Sequence, residues 1–149
     1  MEPPPQTDPQ LHTFFDPFRE FPFRRLGHGY PMAEALKHCA TDEAVNFAYG
    51  MGTLYFFTHA LWHSYASYKD GDSLVAFFDT LVFDGFASDI LPSFVVYHMC
   101  RLTANCVTEN GYVPSASPFF VGLIMLEMVW KPIDKFVDSV MDATIRNAY

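Results

Sequence analysis

A chain of 149 residues has room for one hydrophobic core, and half of its residues are apolar while only 17% are charged. Its 9 Lys and Arg residues against 17 Asp and Glu residues give a net charge of −8, which argues against nucleic acid as a partner. The three cysteines lack C-x-x-C spacing, so neither a disulfide framework nor a closed zinc site is expected. Such an apolar composition favours contact with a membrane or with other proteins.

Residues 1–22 are rich in proline and are predicted to form a flexible arm, followed by one helical membrane domain over residues 23–149. The first residues do not follow the pattern of a secretory signal, so none is expected. The arm ends in FFDPFREFPFRR (residues 14–25), where aromatic residues alternate with arginine. Such a stretch is typical of a segment that docks on a partner or an interface, and a solvated tail is the alternative.

The first long apolar segment covers residues 44–68 and contains no Asp, Glu, Lys or Arg. Its length is sufficient to cross a hydrocarbon core of about 30 Å, and a buried helix of a soluble core is the alternative. Ala44, Ala48 and Gly52 recur at every fourth residue and share one helix face. These small residues are predicted to let a second helix approach closely.

The second apolar segment covers residues 74–99 and carries Asp79, Asp84 and Asp89, five residues apart. Carboxylates at this spacing are about 140° apart around a helix, so they do not share a face. We interpret them as packing or capping acids that neighbouring helices shield, with an ion relay as the alternative. Pro92 favours a kink in this segment.

A third apolar segment covers residues 117–131 and is interrupted by Glu127. Apolar residues then recur at helical spacing over residues 132–148, which predicts an amphipathic helix with an i, i+4 pair between Asp142 and Arg146. Together these segments predict an all-α fold: a small multi-spanning membrane helix bundle with a C-terminal amphipathic helix.

His59 and His63 are four residues apart, which is the spacing that lets two imidazoles on a helix reach one metal ion. No Glu stands between them as in H-E-x-x-H, so packing histidines are the ordinary interpretation. The sequence also lacks a G-x-S-x-G motif, a Walker loop and a dinucleotide-binding motif. We therefore predict no catalytic residue, no metal and no cofactor, and hence a protein that is not an enzyme.

The C-terminal residues carry a pattern in which a basic residue precedes P-I-D and later aspartates precede a final arginine and tyrosine. The second apolar segment adds Asp79, Thr80 and Pro92 to the matches. On these residues the chain resembles the mitochondrial fission process protein family, over residues 24–149. The positions that carry the C-terminal pattern are Lys131, Pro132, Ile133, Asp134, Lys135, Val137, Asp138, Asp142, Ile145, Arg146 and Tyr149.

The resemblance implies a non-catalytic protein of the mitochondrial inner membrane, with a role in mitochondrial division and inner-membrane organisation. It implies membrane lipid and other inner-membrane proteins as partners, and it makes the matched residues candidates for structural roles. Asp84 and Asp89 depart from the family pattern. The alternative is an accessory structural subunit of a respiratory-chain or ATP synthase complex, and an intramembrane metal enzyme is a third hypothesis.

Overall fold

The computed structural model describes residues 16–20, 22–111 and 116–146, and all regular elements in these ranges are helical. Most of the predicted arm, residues 1–15, lies outside the described residues. The elements are a 3₁₀ helix (Phe23–His28), α1 (Gly29–Leu36), α2 (Asp42–Ala66), a second 3₁₀ helix (Ser67–Asp70), α3 (Ser73–Asp84), a π-helical segment (Gly85–Ile90), α4 (Leu91–Glu109) and α5 (Ser117–Ala143).

The predicted multi-spanning membrane bundle is wrong: within the described ranges, no helix combines the length and the apolar character that crossing a membrane requires. The first apolar segment forms one long helix, α2, but its uncharged polar residues, among them Asn46, Thr53 and His59, reduce its apolar character. The second segment is divided among α3, the π-helical segment and α4. The third continues into the charged residues of α5. Counting only charged residues therefore overestimated how apolar these segments are.

The short helix α1 packs against α2, α4 and α5, and Ala33 and Ala35 on it are buried. Its first residue, Gly29, touches α2 directly. A Cβ atom added at Gly29 would lie 2.4 Å from the carbonyl oxygen of Ala48 and 2.4 Å from the backbone nitrogen of Gly52. The small-residue face predicted on α2 therefore receives α1 at Ala48 and Gly52, while Ala44 is half-buried at the start of the helix.

Among the described residues, the core consists of three small apolar clusters, because small residues and polar groups occupy much of the interior. One lies between α1 and α2, one joins α1, α4 and α5, and one joins the end of α3 to α5. Their buried members are, in that order, Ala33, Val45 and Ala48; Ala35, Val96, Cys100 and Leu126; and Phe83, Ala87, Val137 and Met141.

Two helical boundaries differ from the sequence-based expectation. α5 continues through Pro132, where the sequence predicted the end of an apolar segment and the start of a separate amphipathic helix. The chain also runs from α3 through the π-helical segment into α4 without a loop. Pi-helical turns occur frequently at functional sites, and this one begins directly after the buried Asp84.

Candidate functional site

His59 and Asp84 form the centre of a buried polar network. Both side chains are fully buried, and His59 Nδ1 lies 2.6 Å from Asp84 Oδ2. His59 belongs to α2 and Asp84 is the last residue of α3, so the packing of α2 on α3 joins two residues 25 positions apart. A buried carboxylate is costly unless it is paired, and the imidazole supplies the partner.

Arg24 extends the network from the first 3₁₀ helix to α5. Its Nη1 donates to Ser88 Oγ at 2.7 Å and lies 3.5 Å from Asp84 Oδ1. Its Nε and Nη2 both donate to the carboxylate of Asp134, a bidentate arrangement typical of strong arginine–carboxylate pairs. Burial alone would lower the pKa of Arg24, but the charge of Asp134 and the other neighbours raise it, so the side chain stays charged in the core.

Asp16 closes the network at its outer end. Its Oδ2 lies 2.9 Å from His59 Nε2 and 3.0 Å from His63 Nε2, so both histidines of α2 converge on one carboxylate oxygen. Burial would raise the pKa of Asp16, but hydrogen bonds with His59 and His63 hold it well below its ordinary value. Burial would likewise lower the pKa of His59, yet hydrogen bonds to Asp16 and Asp84 raise it.

The segment that carries Asp16 docks on α2 through its aromatic residues. The Phe18 ring stacks on His59 with a centroid distance of 5.2 Å, and it meets the Tyr55 ring edge to face at 5.8 Å. Tyr55 Oη donates a hydrogen bond of 2.8 Å to the Phe18 carbonyl oxygen. Residues 16–20 of the predicted arm are thus bound to the chain's own helix.

A second ionic cluster surrounds Arg146 near the end of the described chain. Arg146 donates two hydrogen bonds to Asp79, of 3.0 and 2.9 Å, and single ones to Asp138 and Asp142. The hydrogen bonds with Asp79 are the main reason that the pKa of Arg146 is raised. Arg19 joins the two clusters, because its Nη1 lies 3.4 Å from Asp138 and its Nε lies 3.5 Å from Asp16.

The two clusters bring together most of the charged residues that the family resemblance singled out. Asp134 belongs to the Arg24 cluster, and the Arg146 cluster contains Asp79, Asp138, Asp142 and Arg146 itself. Thr80 instead donates to the carbonyl oxygen of Ala76, so it does not join the network. The remaining candidates are a buried Pro92 at the start of α4, an exposed Pro132 and a half-buried Ile133 that packs near Phe83.

No pattern in the sequence identifies the centre of the network. Asp16 contacts His59 across 43 positions, and Arg24 contacts Asp134 across 110. The sequence predicts Asp84 to be a shielded packing or capping acid, with an ion relay as the alternative, and it indicates no partner for this residue. The i, i+4 spacing of His59 and His63 does indicate that the two imidazoles share one helix face, but it does not indicate which carboxylates lie opposite that face.

The described residues thus define a small all-helical protein whose helices are joined by internal ion pairs. Comparison with known proteins gives several relatives that share one name. "Mitochondrial fission process protein 1" of Caenorhabditis elegans is 26% identical over 147 residues, covering 90% of this chain and 89% of that protein. The proteins of the same name from Homo sapiens and Danio rerio are 24% and 26% identical over 146 residues, each covering 90% of this chain and 88% of the relative.

These matches confirm the family resemblance read from the motifs: the chain is similar to mitochondrial fission process proteins along nearly its whole length. No protein-family model matches the chain. No solved structure matches it either.

Proposed function

We propose that this chain is a non-catalytic mitochondrial protein that takes part in mitochondrial division by binding other inner-membrane proteins through exposed apolar helix faces. The mitochondrial location and the role in division are supported by the name that the relatives share. We also propose that the protein binds its partners at the inner membrane, that it contacts membrane lipid there, and that it takes part in inner-membrane organisation.

The observation that carries this proposal is an apolar stripe on the outer face of α2. Phe47, Leu54, Phe57, Leu61 and Tyr65 follow one another at intervals of three, four or seven residues, and each is at least 51% exposed. Residues at these intervals share one face of a helix. Soluble monomers rarely expose large continuous apolar patches, and those that they do expose are often binding sites.

Similar exposed apolar residues lie on α4 and α5, again at helical spacing. Removing such side chains from water on a partner surface gains roughly 25 cal/mol per Å² of apolar area. Several neighbouring large side chains therefore offer enough apolar area for a specific contact. The exposed residues on these two helices are Phe94, Tyr97, Leu102, Phe120, Ile124 and Met128.

The arrangement of the charged side chains supports a structural role for them, in which they hold the helices together. Arg24 pairs with Asp134, His59 with Asp84, and Arg146 with three carboxylates, so these groups join the first 3₁₀ helix, α2, α3 and α5 to one another. Such pairs fix the relative positions of helices, and this fixed frame presents the apolar faces outward.

The test is a rescue experiment in cells from which this protein has been removed. We expect the wild-type chain to enter the mitochondrial fraction and to restore normal division, scored as mitochondrial length. The double variant Leu54→Ser/Leu61→Ser should keep its fold but restore division poorly, while the exposed polar change Asn46→Gln should rescue fully. Full rescue by the double variant, or a wild-type chain that does not reach mitochondria, would contradict the proposal.

An accessory structural subunit of a respiratory-chain or ATP synthase complex would use the same exposed faces. Extraction with a mild detergent separates the two functions. Stoichiometric co-purification with the complex, lost in Leu54→Ser/Leu61→Ser, would favour the accessory subunit over a role in division.

A further inference from the structure

We propose that Asp16, His59 and His63 form a binding site for one divalent transition-metal ion of the Zn²⁺ type. Among the described residues, these three side chains each offer one ligand atom, and the three atoms lie within 4.8 Å of one another. The three residues come from two separate parts of the chain. A metal ion bound here would hold residues 16–20 on α2.

The distances between the ligand atoms are close to those of a metal site. Asp16 Oδ2 lies 2.9 Å from His59 Nε2 and 3.0 Å from His63 Nε2. Zinc bonds of about 2.0–2.1 Å in a tetrahedral site place neighbouring ligand atoms about 3.3 Å apart. These two distances therefore need to lengthen by about 0.4 Å, which small changes in the Asp16 side-chain torsions can supply, and the two imidazole nitrogens lie within 4.8 Å of each other.

The nitrogen of His59 that does not face the proposed metal lies beside a carboxylate, as is usual for a metal-bound histidine. Asp84 Oδ2 lies 2.6 Å from His59 Nδ1, and both side chains are fully buried. A hydrogen bond from Nδ1 to a carboxylate leaves Nε2 for the metal, fixes the ring orientation and makes the imidazole a stronger ligand. The π-helical segment and Arg24 hold Asp84 in turn, through Ser88 and a direct ion pair.

The mixed nitrogen and oxygen ligands suit zinc and its first-row neighbours, since imidazole binds Zn²⁺, Cu²⁺ and Ni²⁺ well. The ion takes the place of the hydrogens that lie between Asp16 Oδ2 and the Nε2 atoms of His59 and His63, and the carboxyl group of Asp84 lies on the far side of His59. Arg19 opposes binding of the ion, because its Nε lies 3.5 Å from Asp16 Oδ2. We therefore expect an exchangeable ion with a water molecule as its further ligand.

The side chain of His63 provides access to the site. It is 27% exposed, and it lines a cavity of about 470 Å³ that Asp79 and Arg146 also line. His59 is enclosed and Asp16 is nearly so, with exposures of 0% and 10%. An ion can therefore enter beside His63 while the inner ligand stays fixed.

The experiment is a titration of the full-length chain, freed of metal by chelation, with Co²⁺ followed by competition with Zn²⁺. We expect one equivalent of Co²⁺ to bind and to give a visible absorption band that Zn²⁺ removes. Asp16→Asn and His63→Gln should each weaken Zn²⁺ binding about tenfold or more. The matched control is His98→Gln, a change of an exposed histidine on α4, which should leave binding unchanged.

A second readout tests the position of the ion independently of affinity. Zn²⁺ should slow trypsin cleavage after Arg19 in the wild-type chain and in His98→Gln, and this protection should be lost in His63→Gln. Circular dichroism establishes that each variant is folded. The absence of saturable binding by the wild-type chain, or equal binding and equal protection in all variants, would overturn the proposal.

Discussion

Replacing Asp84 by asparagine tests whether the buried network holds the fold together. The carboxylate is fully buried between His59 at 2.6 Å and Arg24 at 3.5 Å, so the variant removes from the core the carboxylate that these two side chains share. Breaking a buried pair by removing one partner typically costs about 3–5 kcal/mol. For a protein of this size that corresponds to a fall in melting temperature of roughly 6–20 °C.

The matched control is Asp89→Asn, in the π-helical segment that follows Asp84. Burial is the main reason that the pKa of Asp89 is raised, so a neutral amide should be tolerated or mildly stabilising there. From the sequence alone the two aspartates were equivalent shielded acids, for which the same substitution should be harmless. The structure separates them, because Asp84 lies within the pairs of the network.

The assay is thermal unfolding followed by circular dichroism, combined with urea titration of the same samples. A double-mutant cycle of Asp84→Asn with His59→Gln should show a coupling of about 0.5–3 kcal/mol, since the two side chains are in direct contact. Equal melting temperatures for Asp84→Asn and Asp89→Asn, with no coupling in the cycle, would refute the reasoning that the network stabilises the fold.

Three further expectations concern helix contact, the C-terminal cluster and pH. Gly29→Ala should cost about 1–3 kcal/mol of unfolding free energy, because its Cβ would meet the α2 backbone at 2.4 Å. The control Gly50→Ala should stabilise α2, because a Cβ there meets nothing within 4 Å. Equal effects of the two substitutions on the unfolding free energy would disprove the contact. Arg146→Gln should lower the unfolding free energy measured by urea titration by about 1–3 kcal/mol, since it breaks hydrogen bonds to three carboxylates. The control is Arg101→Gln, which changes an exposed side chain of α4. A loss of unfolding free energy no greater than that of the control would argue against a stabilising role of the cluster. Burial, together with the charges of Arg24 and Arg25, lowers the pKa of His28 from 6.5 to about 3 in the folded protein. As the pH drops below 6.5, the His28 imidazole is therefore protonated in the unfolded chain before it is protonated in the folded one, and the unfolding free energy falls. Between pH 7.5 and 5.5 the wild type should lose about 1.4 kcal/mol more than His28→Gln, and parallel pH curves would show that His28 is not the cause.

The helices themselves were predictable from the sequence, because their apolar residues recur at helical spacing. The C-terminal pattern placed Val137 and Met141 on one face and Asp142 with Arg146 on the other, and the structure buries the first pair and joins the second at 2.7 Å. Predictions of this kind depend only on residues three or four positions apart in the sequence. The prediction of membrane crossing failed, because uncharged polar residues in α2 were not counted.

The network was not predictable in the same way, because each of its contacts joins distant parts of the chain. Nothing near His59 in the sequence indicates that Asp16 and Asp84 lie on either side of its ring. The family resemblance singled out Asp79, Asp134 and Arg146, but it did not indicate which residues they pair with. Those pairings follow from how α5 packs on the rest of the chain, which only the three-dimensional structure specifies.

The pairing of Arg24 with Asp134 has a consequence for how the chain is made. The two residues are 110 positions apart, so at about 5–20 residues per second a ribosome adds Asp134 roughly 5–20 s after Arg24. During that interval the arginine has no α5 to pair with and its segment cannot close over the core. A nascent chain of this protein therefore stays incompletely folded until α5 is synthesised, which leaves the apolar faces of the earlier helices open to chaperones during that interval.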